Sequence, residues 1–126
     1  MKTQKRKTGD LGEEIAETYL KKRGYIILGR NYNKKWGELD IVAKFKKDII
    51  FVEVKSAAKG GIFLPAHNVN FHKQQRLIRA ARSWLTENKI PPETNWRIDV
   101  VVVELDYENK KAKVEHLRNA VRSTTY

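Results

Sequence analysis

Two short segments hold the residues best suited to chemistry. One is Gly37-Glu38-Leu39-Asp40-Ile41-Val42-Ala43 and the other is Phe51-Val52-Glu53-Val54-Lys55. Both are apolar and β-prone, and each carries ionisable groups at alternate positions. On a strand, residues two apart share a face, so Glu38 falls with Asp40, and Glu53 with Lys55. An antiparallel pair closed by a two-residue turn at Lys46-Lys47 sets Phe45 opposite Asp48. The same register sets Asp40 opposite Glu53 and Glu38 opposite Lys55, with all four charges on one face. A three-residue turn would turn one strand over and separate the acids. Two carboxylates and a backbone carbonyl are hard oxygen donors suited to Mg²⁺ or Mn²⁺. Such an ion polarises a phosphoryl oxygen and acidifies a bound water. On this reading Asp40, Glu53 and the Val54 carbonyl hold the metal. Lys55 orients or deprotonates the attacking water and stabilises transition-state charge. The plain alternative is a Glu38–Lys55 ion pair, with Asp40 and Glu53 facing water. The apolar flanks Ile41-Val42 and Phe51-Val52 argue for burial, where an unpaired carboxylate is costly.

The rest of the chain supplies the elements that position these groups. Residues 1–8, with Lys2, Lys5, Arg6 and Lys7, read as a flexible basic arm before a single domain over residues 9–126. A helix is predicted from near Asp10, with Leu11, Ile15 and Tyr19 on one stripe and Ala16 and Leu20 beside it. It stops near Gly24. Strands follow at Tyr25–Leu28, extending toward Tyr32, then at Gly37–Phe45 and Ile49–Ser56. Residues Ala57–Asn70 contain Gly60-Gly61 and read as a mobile loop. Asn70 caps a second helix running to about Asn88, which buries Leu77, Ile78, Ala81, Trp84 and Leu85. Pro91-Pro92 forces an extended link. Arg97–Leu105 is a strand whose unbroken apolar run implies cover on both faces. A short strand near Ala112–Glu115 and a final helical turn end the chain. The order α-β-β-β-α-β-β describes an α/β domain with a central mixed sheet.

Composition narrows the function class. The chain has 126 residues, 40% of them hydrophobic, enough for one core. No run approaches the ~18 apolar residues of a membrane span, and no apolar signal region opens the chain. Both point to a cytoplasmic protein with no membrane partner. Without cysteine, any metal must be held by oxygen or histidine. Lys and Arg number 26 against 15 Asp and Glu, a net charge of +11, which favours a polyanion such as nucleic acid. Lys73, Arg76, Arg79 and Arg82 recur at helical spacing. They form a solvated helix face with phosphate contact as a second role, to which the arm adds Lys5 and Arg6.

Several residues carry two readings. Asp10-x-x-Glu13 matches a capping box, so Glu13 is either a helix cap or a site residue. Gln74 lies by the inward stripe of its helix and is a candidate to line the site. Asp99 beside Arg97 suits a structural hydrogen bond or ion pair. His67, His72 and His116 lack metal-ligand spacing and read as loop or surface histidines, with His72 a minor phosphate candidate. Trp36 and Phe71 are expected in the core, although they and Phe63 could stack on unpaired bases.

A wider pattern runs through these segments. Gly9-x-x-Gly12-Glu13-x-x-Ala16 with Tyr19-Leu20 is followed by Gly24-Tyr25 and Arg30-Asn31-Tyr32. Gly37-Glu38-Leu39-Asp40 and Phe51-Val52-Glu53-Val54-Lys55-Ser56 come next, then Lys73-Gln74 with Arg76-Leu77, and Arg97-x-Asp99-Val100-Val101. This succession resembles the UPF0102, or YraN, family over nearly all of residues 9–121. Asp40 with Glu53-x-Lys55 resembles the core of the PD-(D/E)xK nuclease superfamily, although Leu39 stands where the superfamily name has proline. The resemblance implies a restriction-endonuclease-like fold and a likeness to Holliday junction resolvases. It implies that Asp40, Glu53 and Lys55 match the nuclease core and that Glu13 matches an acidic metal-site position on the first helix. Gln74 matches a polar position on the helix after the Glu-x-Lys strand. The function expected is a Mg²⁺- or Mn²⁺-dependent endonuclease acting on structured or branched DNA. By analogy with symmetric two-strand cutting, it would act as a homodimer. The alternatives are a non-catalytic nucleic-acid-binding module of the same fold and, more weakly, a ribonucleoprotein assembly factor. A mere binder has no need of acids that repel phosphate, and metal binding at Asp40 and Glu53 would argue against the assembly factor.

Overall fold

The segments richest in β-branched and aromatic residues form the central layer, and the two stretches with 3.6-residue periodicity cover its two faces. A computed structural model describes residues 3–60 and 70–121. Its elements are α1 (Gln4–Lys22), β1 (Ile26–Lys34), β2 (Gly37–Phe45), β3 (Asp48–Ala58), α2 (Phe71–Glu87), β4 (Trp96–Asp106) and β5 (Lys111–Val121). The strands form one sheet in the order β1-β2-β3-β4-β5. β3 and β4 are parallel, joined by the crossover through α2, and the other neighbours are antiparallel. This is the α/β arrangement with a central mixed sheet that the sequence predicts. Among the described residues, no helix is long and apolar enough to cross a membrane.

Two cores lie on opposite faces of the sheet. Ala16 and Leu20 of α1 pack with Tyr25, Ile41, Ala43, Ile50, Val52, Val101, Val103 and Leu105. Leu77, Ile78, Ala80, Ala81 and Trp84 of α2 pack with Leu39, Val42, Ile49, Phe51 and Ile98. β4 is buried on both faces, as its apolar run predicts.

The boundaries differ from expectation in three places. α1 begins at Gln4, with Thr3 as its N-cap accepting from the Arg6 amide at 3.2 Å. Residues 4–8, expected in a flexible arm, are therefore its first turns. Gln, Lys and Arg are good helix formers, and their propensity outweighs the glycine at position 9. Asp10 is thus mid-helix, and the capping-box reading of Glu13 is overturned. At the other end, β5 runs from Lys111 to Val121, well beyond the short strand expected near Ala112–Glu115, and residues 122–126 lie outside the described residues. β3 continues through Ala58, two residues into the expected loop. His67, Phe63, Gly61 and most of that loop lie outside the described residues.

Two glycines set how closely the helices approach the sheet. A Cβ on Gly12 would lie 2.5 Å from the Ser56 Cβ, and one on Gly37 would lie 2.5 Å from the Arg76 carbonyl oxygen. Both contacts fall at the end of the sheet that carries the acidic residues.

Candidate active site

The β2–β3 hairpin has the two-residue turn the sequence calls for, with Phe45 opposite Asp48 and pairing that continues to Ile41 opposite Val52. There the ladder stops. β3 goes on along β4, where Glu53 pairs with Val100 and Lys55 with Val102. β2 goes on along β1, where Glu38 pairs with Asn33. The expected opposition of Asp40 to Glu53 and of Glu38 to Lys55 is therefore not made. Leu39 and Ile41, two residues apart, end in opposite cores, so the in-out alternation breaks at Asp40. The Asp40 carboxylate crosses the opening instead, its Oδ2 accepting the Val54 amide at 2.7 Å.

The split gathers the acidic residues by a different route. Asp40 is mostly buried and feels Glu53, Glu13 and Glu38. Burial first, then the Glu53 charge, pushes its carboxyl up to about 7, and the Val54 amide offsets only part of this. Glu53, on β3, is 7% exposed. Its Oε1 lies 2.8 Å from Lys73 Nζ, which reaches over from the first turn of α2. Burial, and then the Lys73 charge, holds the Lys55 ammonium below its usual value, against the pull of Glu53 and Asp40. Burial disfavours the Lys73 ammonium, but the Glu53 hydrogen bond and the charges of Glu53, Asp40 and Glu38 raise it overall.

Glu13 enters from α1. Its carboxylate is 3.6 Å from Arg30 of β1, whose guanidinium also lies 3.6 Å from Glu17. Burial raises Glu13 above its ordinary value despite Arg30, and Asp10 and Glu38 add to the rise. Gln74 is half-buried one residue beyond Lys73, and it has interactions of its own. A hollow beside the acids is lined by Glu38, Glu53, Asn70, His72, Lys73, Arg76 and Leu77. Asn70, one of its lining residues, caps α2, accepting from the Lys73 amide at 2.9 Å.

The other expected contacts divide. Lys73 and Arg76 line this hollow, whereas Arg79 lines a separate one with Arg82, Ser83, Thr86 and Glu87. Lys5 and Arg6 lie on the exposed first turns of α1, about two turns before Glu13. Trp36 and Phe71, expected in the core, are 37% and 64% exposed. Trp36 lies in the β1–β2 turn and docks on α2 through Nε1 to the Ser83 hydroxyl at 2.8 Å. Phe71 is the first residue of α2, outside its buried stripe. His116, expected at the surface, is buried against Asp99, its Nε2 2.8 Å from the carboxylate. Arg30 was missed as a neighbour of the site. Counting the β1–β2 register, which sets Arg30 opposite Ile41, would have found it.

Among the described residues, no three carboxylate or imidazole groups converge into a ready-made metal cage. The donor set nonetheless suits a hard cation. Asp40 carries more negative surroundings than its one amide hydrogen bond offsets. An ion of the Mg²⁺ type needs only one or two carboxylates, with water and phosphate completing its shell.

The profile described as "Uncharacterised protein family UPF0102" matches residues 12–103. The chain belongs to the UPF0102 family. A UPF0102 protein of Alkaliphilus oremlandii is 39% identical over 115 residues, covering 91% of this chain and 97% of that one. A UPF0102 protein of Clostridium acetobutylicum is 41% identical over 115 residues, covering 91% and 93%. Among solved structures, the fdxN element excision controlling factor of Anabaena variabilis aligns with 86% of this chain and 98% of its own. Its identity is 20% and its TM-score 0.41. SfsA of Pyrococcus furiosus, solved in complex with Ca²⁺, aligns with 94% and 65%, at 16% identity and a TM-score of 0.44. These two are loose likenesses. The UPF0102 match holds every acid and lysine of the site and ends within β4, so β5 lies beyond it.

Proposed function

We propose that this chain is a divalent-metal-dependent endonuclease that hydrolyses phosphodiester bonds in structured or branched DNA, with Asp40 and Glu53 at its centre. The observation that carries the reading is the opening between β2 and β3. Beside it the Asp40 carboxyl feels the charges of Glu53, Glu13 and Glu38 and is pushed up to about 7 by burial and by these acids. Such a cluster destabilises the fold unless a cation joins it. Its position beside the Lys73 and Arg76 hollow suits a phosphate.

Asp40 and Glu53 would hold Mg²⁺ or Mn²⁺ with the Val54 carbonyl, and Glu13 would approach from α1. Bound there, the ion supplies Lewis acidity toward a phosphoryl oxygen and a water. Lys55 sits with its ammonium disfavoured by burial, so it can take or orient a water proton more readily than an ordinary lysine. Gln74 would orient the same water or the substrate by hydrogen bonds. Lys73 and Arg76 would hold the phosphodiester backbone, with Arg79, Lys5 and Arg6 extending the track. Cutting both strands of a junction requires two such sites, hence a homodimer of this chain.

The test is cleavage of labelled duplex, single strand, flap and four-way junction in Mg²⁺, Mn²⁺ or EDTA, by wild type and Asp40→Asn. Metal-dependent cutting of the branched substrates, reduced at least ~100-fold by the substitution, is expected. A second reading, a nucleic-acid-binding module without cleavage, draws on the fact that Lys73 already neutralises Glu53. It would be favoured by tight binding in EDTA, no cutting in either metal, and no change in Asp40→Asn.

A further inference from the structure

We propose that Lys73 is an internal counter-ion of this site: its ammonium occupies Glu53 while no metal is present, a divalent cation displaces it, and the freed ammonium then binds the incoming phosphate. The inference rests on the reading of Asp40 and Glu53 as metal carboxylates and adds an order of events to it.

The two carboxylates are compensated unequally. Glu53 is paired at 2.8 Å with Lys73, whereas among the described residues Asp40 has only the Val54 amide at 2.7 Å. A cation shared by both carboxylates must take Glu53 from the ammonium, because two positive centres on one buried carboxylate repel each other strongly. Lys73 is built to yield. Its backbone is fixed by the Asn70 cap at 2.9 Å, while its side chain is 45% exposed and hangs on a flexible four-carbon stem. It also lines the hollow with His72 and Arg76, so release places it at the mouth through which a phosphate would approach. Arg30 on Glu13 is a different case, since its guanidinium is shared with Glu17 at equal distance.

Displacement makes metal and phosphate cooperative. Whatever releases Lys73 from Glu53 makes it available to the backbone, and a backbone phosphate that holds Lys73 leaves Glu53 free for metal. By linkage, the two effects are equal in size.

The experiment is Mn²⁺ titration calorimetry on the full chain at fixed ionic strength, comparing wild type, Lys73→Met, Arg76→Met and Asp40→Asn. Lys73→Met should bind Mn²⁺ about tenfold more tightly, as removal of a competing counter-ion requires. Arg76→Met, which removes a cation from the same hollow but not from Glu53, should change it less than about twofold. In ¹H–¹⁵N spectra of the lysine ammonium groups, a signal absent from Lys73→Met should shift or vanish when Mg²⁺ is added to wild type. Equal or weaker Mn²⁺ binding by Lys73→Met overturns the proposal. So does an equal gain in Arg76→Met, which would reflect the general field of the hollow. If wild type binds Mn²⁺ and Asp40→Asn does not, failure of Lys73→Met to tighten it sinks this inference alone. If no variant binds Mn²⁺, or Asp40→Asn binds it as wild type does, the metal reading of the site falls and this inference with it.

Discussion

Asp40 on β2 and Asp99 on β4 flank the central strand β3, and both are largely withdrawn from solvent, yet they are opposites. Asp99 is fully buried and receives hydrogen bonds from every side. Arg97 Nε lies at 2.9 Å and Nη2 at 3.3 Å, His116 Nε2 at 2.8 Å, and the Asn119 amide at 2.8 Å. Burial alone would raise its carboxyl, but His116, Arg97 and Asn119 outweigh burial and hold it below its ordinary value. Asp40 has one amide and three acidic neighbours, and is pushed up to about 7. Burial is common to both. The sign of the neighbours separates a carboxylate whose charge is compensated from one whose charge is not.

The contrast can be broken or sharpened by substitution, with EDTA present for stability work. The largest effect expected is from Asp99→Ala, which strands Arg97 and His116 and should cost ~3–5 kcal/mol in urea denaturation. The Mn²⁺ affinity of its folded fraction should stay within about twofold of wild type. A loss below ~1 kcal/mol would mean that the Asp99 network is not structural.

Gly37→Ala tests the geometry shared by the two sides. Its Cβ would meet the Arg76 carbonyl oxygen at 2.5 Å, forcing α2 away from β2 at a cost of ~2–3 kcal/mol. Lys73 moves with that helix, so Mn²⁺ affinity should change as well, as calorimetry would record.

Asp40→Asn should act in the opposite direction to Asp99→Ala and stabilise the protein by ~2 kcal/mol at pH 8, or roughly 5–10 °C in Tm. The folded pKa of about 7 stands above the ordinary 3.8. The stability tied to Asp40 is therefore full below about pH 4 and is lost as pH rises through 7. The advantage of the amide should be absent near pH 4, grow to pH 7, and then level off. A thermal melt series that shows no such growth would remove the claim that Asp40 is under-compensated.

The smallest effect is reserved for Trp36→Phe. It deletes an exposed indole bond to Ser83 and should cost ~0.5–1 kcal/mol. A larger loss in urea denaturation would mean that α2 docking depends on that turn as much as on Gly37.

Much of this was legible before any coordinates. The turn at Lys46-Lys47, the caps at Gly24 and Asn70, and the two-sided burial of β4 follow from local rules of turn length, capping and apolar runs. The acids themselves stand out in the sequence, but the strand pairing that would join them does not form. Strand pairing was extended to Asp40 and Glu53 as if the ladder were uniform, whereas β3 has a better partner in β4 and leaves β2 after Val52. β5 was shortened because its alternation is interrupted. The register slips between Ile98 and Val100, and Asn119, at φ 51°, turns its amide to Asp99. For the same reason His116 read as a surface residue, since its burial depends on an aspartate 17 positions away rather than on its own neighbours. Lys73 was legible as part of a basic helix face, but its ion pair with Glu53 was not, because nothing local fixes where α2 begins relative to β3.

The parting of β2 and β3 has a mechanical side. From Phe45 opposite Asp48 to Ile41 opposite Val52 the strands are laced together, and beyond that each belongs to a different leaf, one shared with β1 and the other with β4 and β5. The leaves meet along a spine at the hairpin end and stand apart at the acidic end, like a book held slightly open. Among the described residues, the bond from the Val54 amide to Asp40 Oδ2 is the clasp across the gap. A carboxylate has a second oxygen, so the residue that fastens the pages keeps one oxygen outside the clasp.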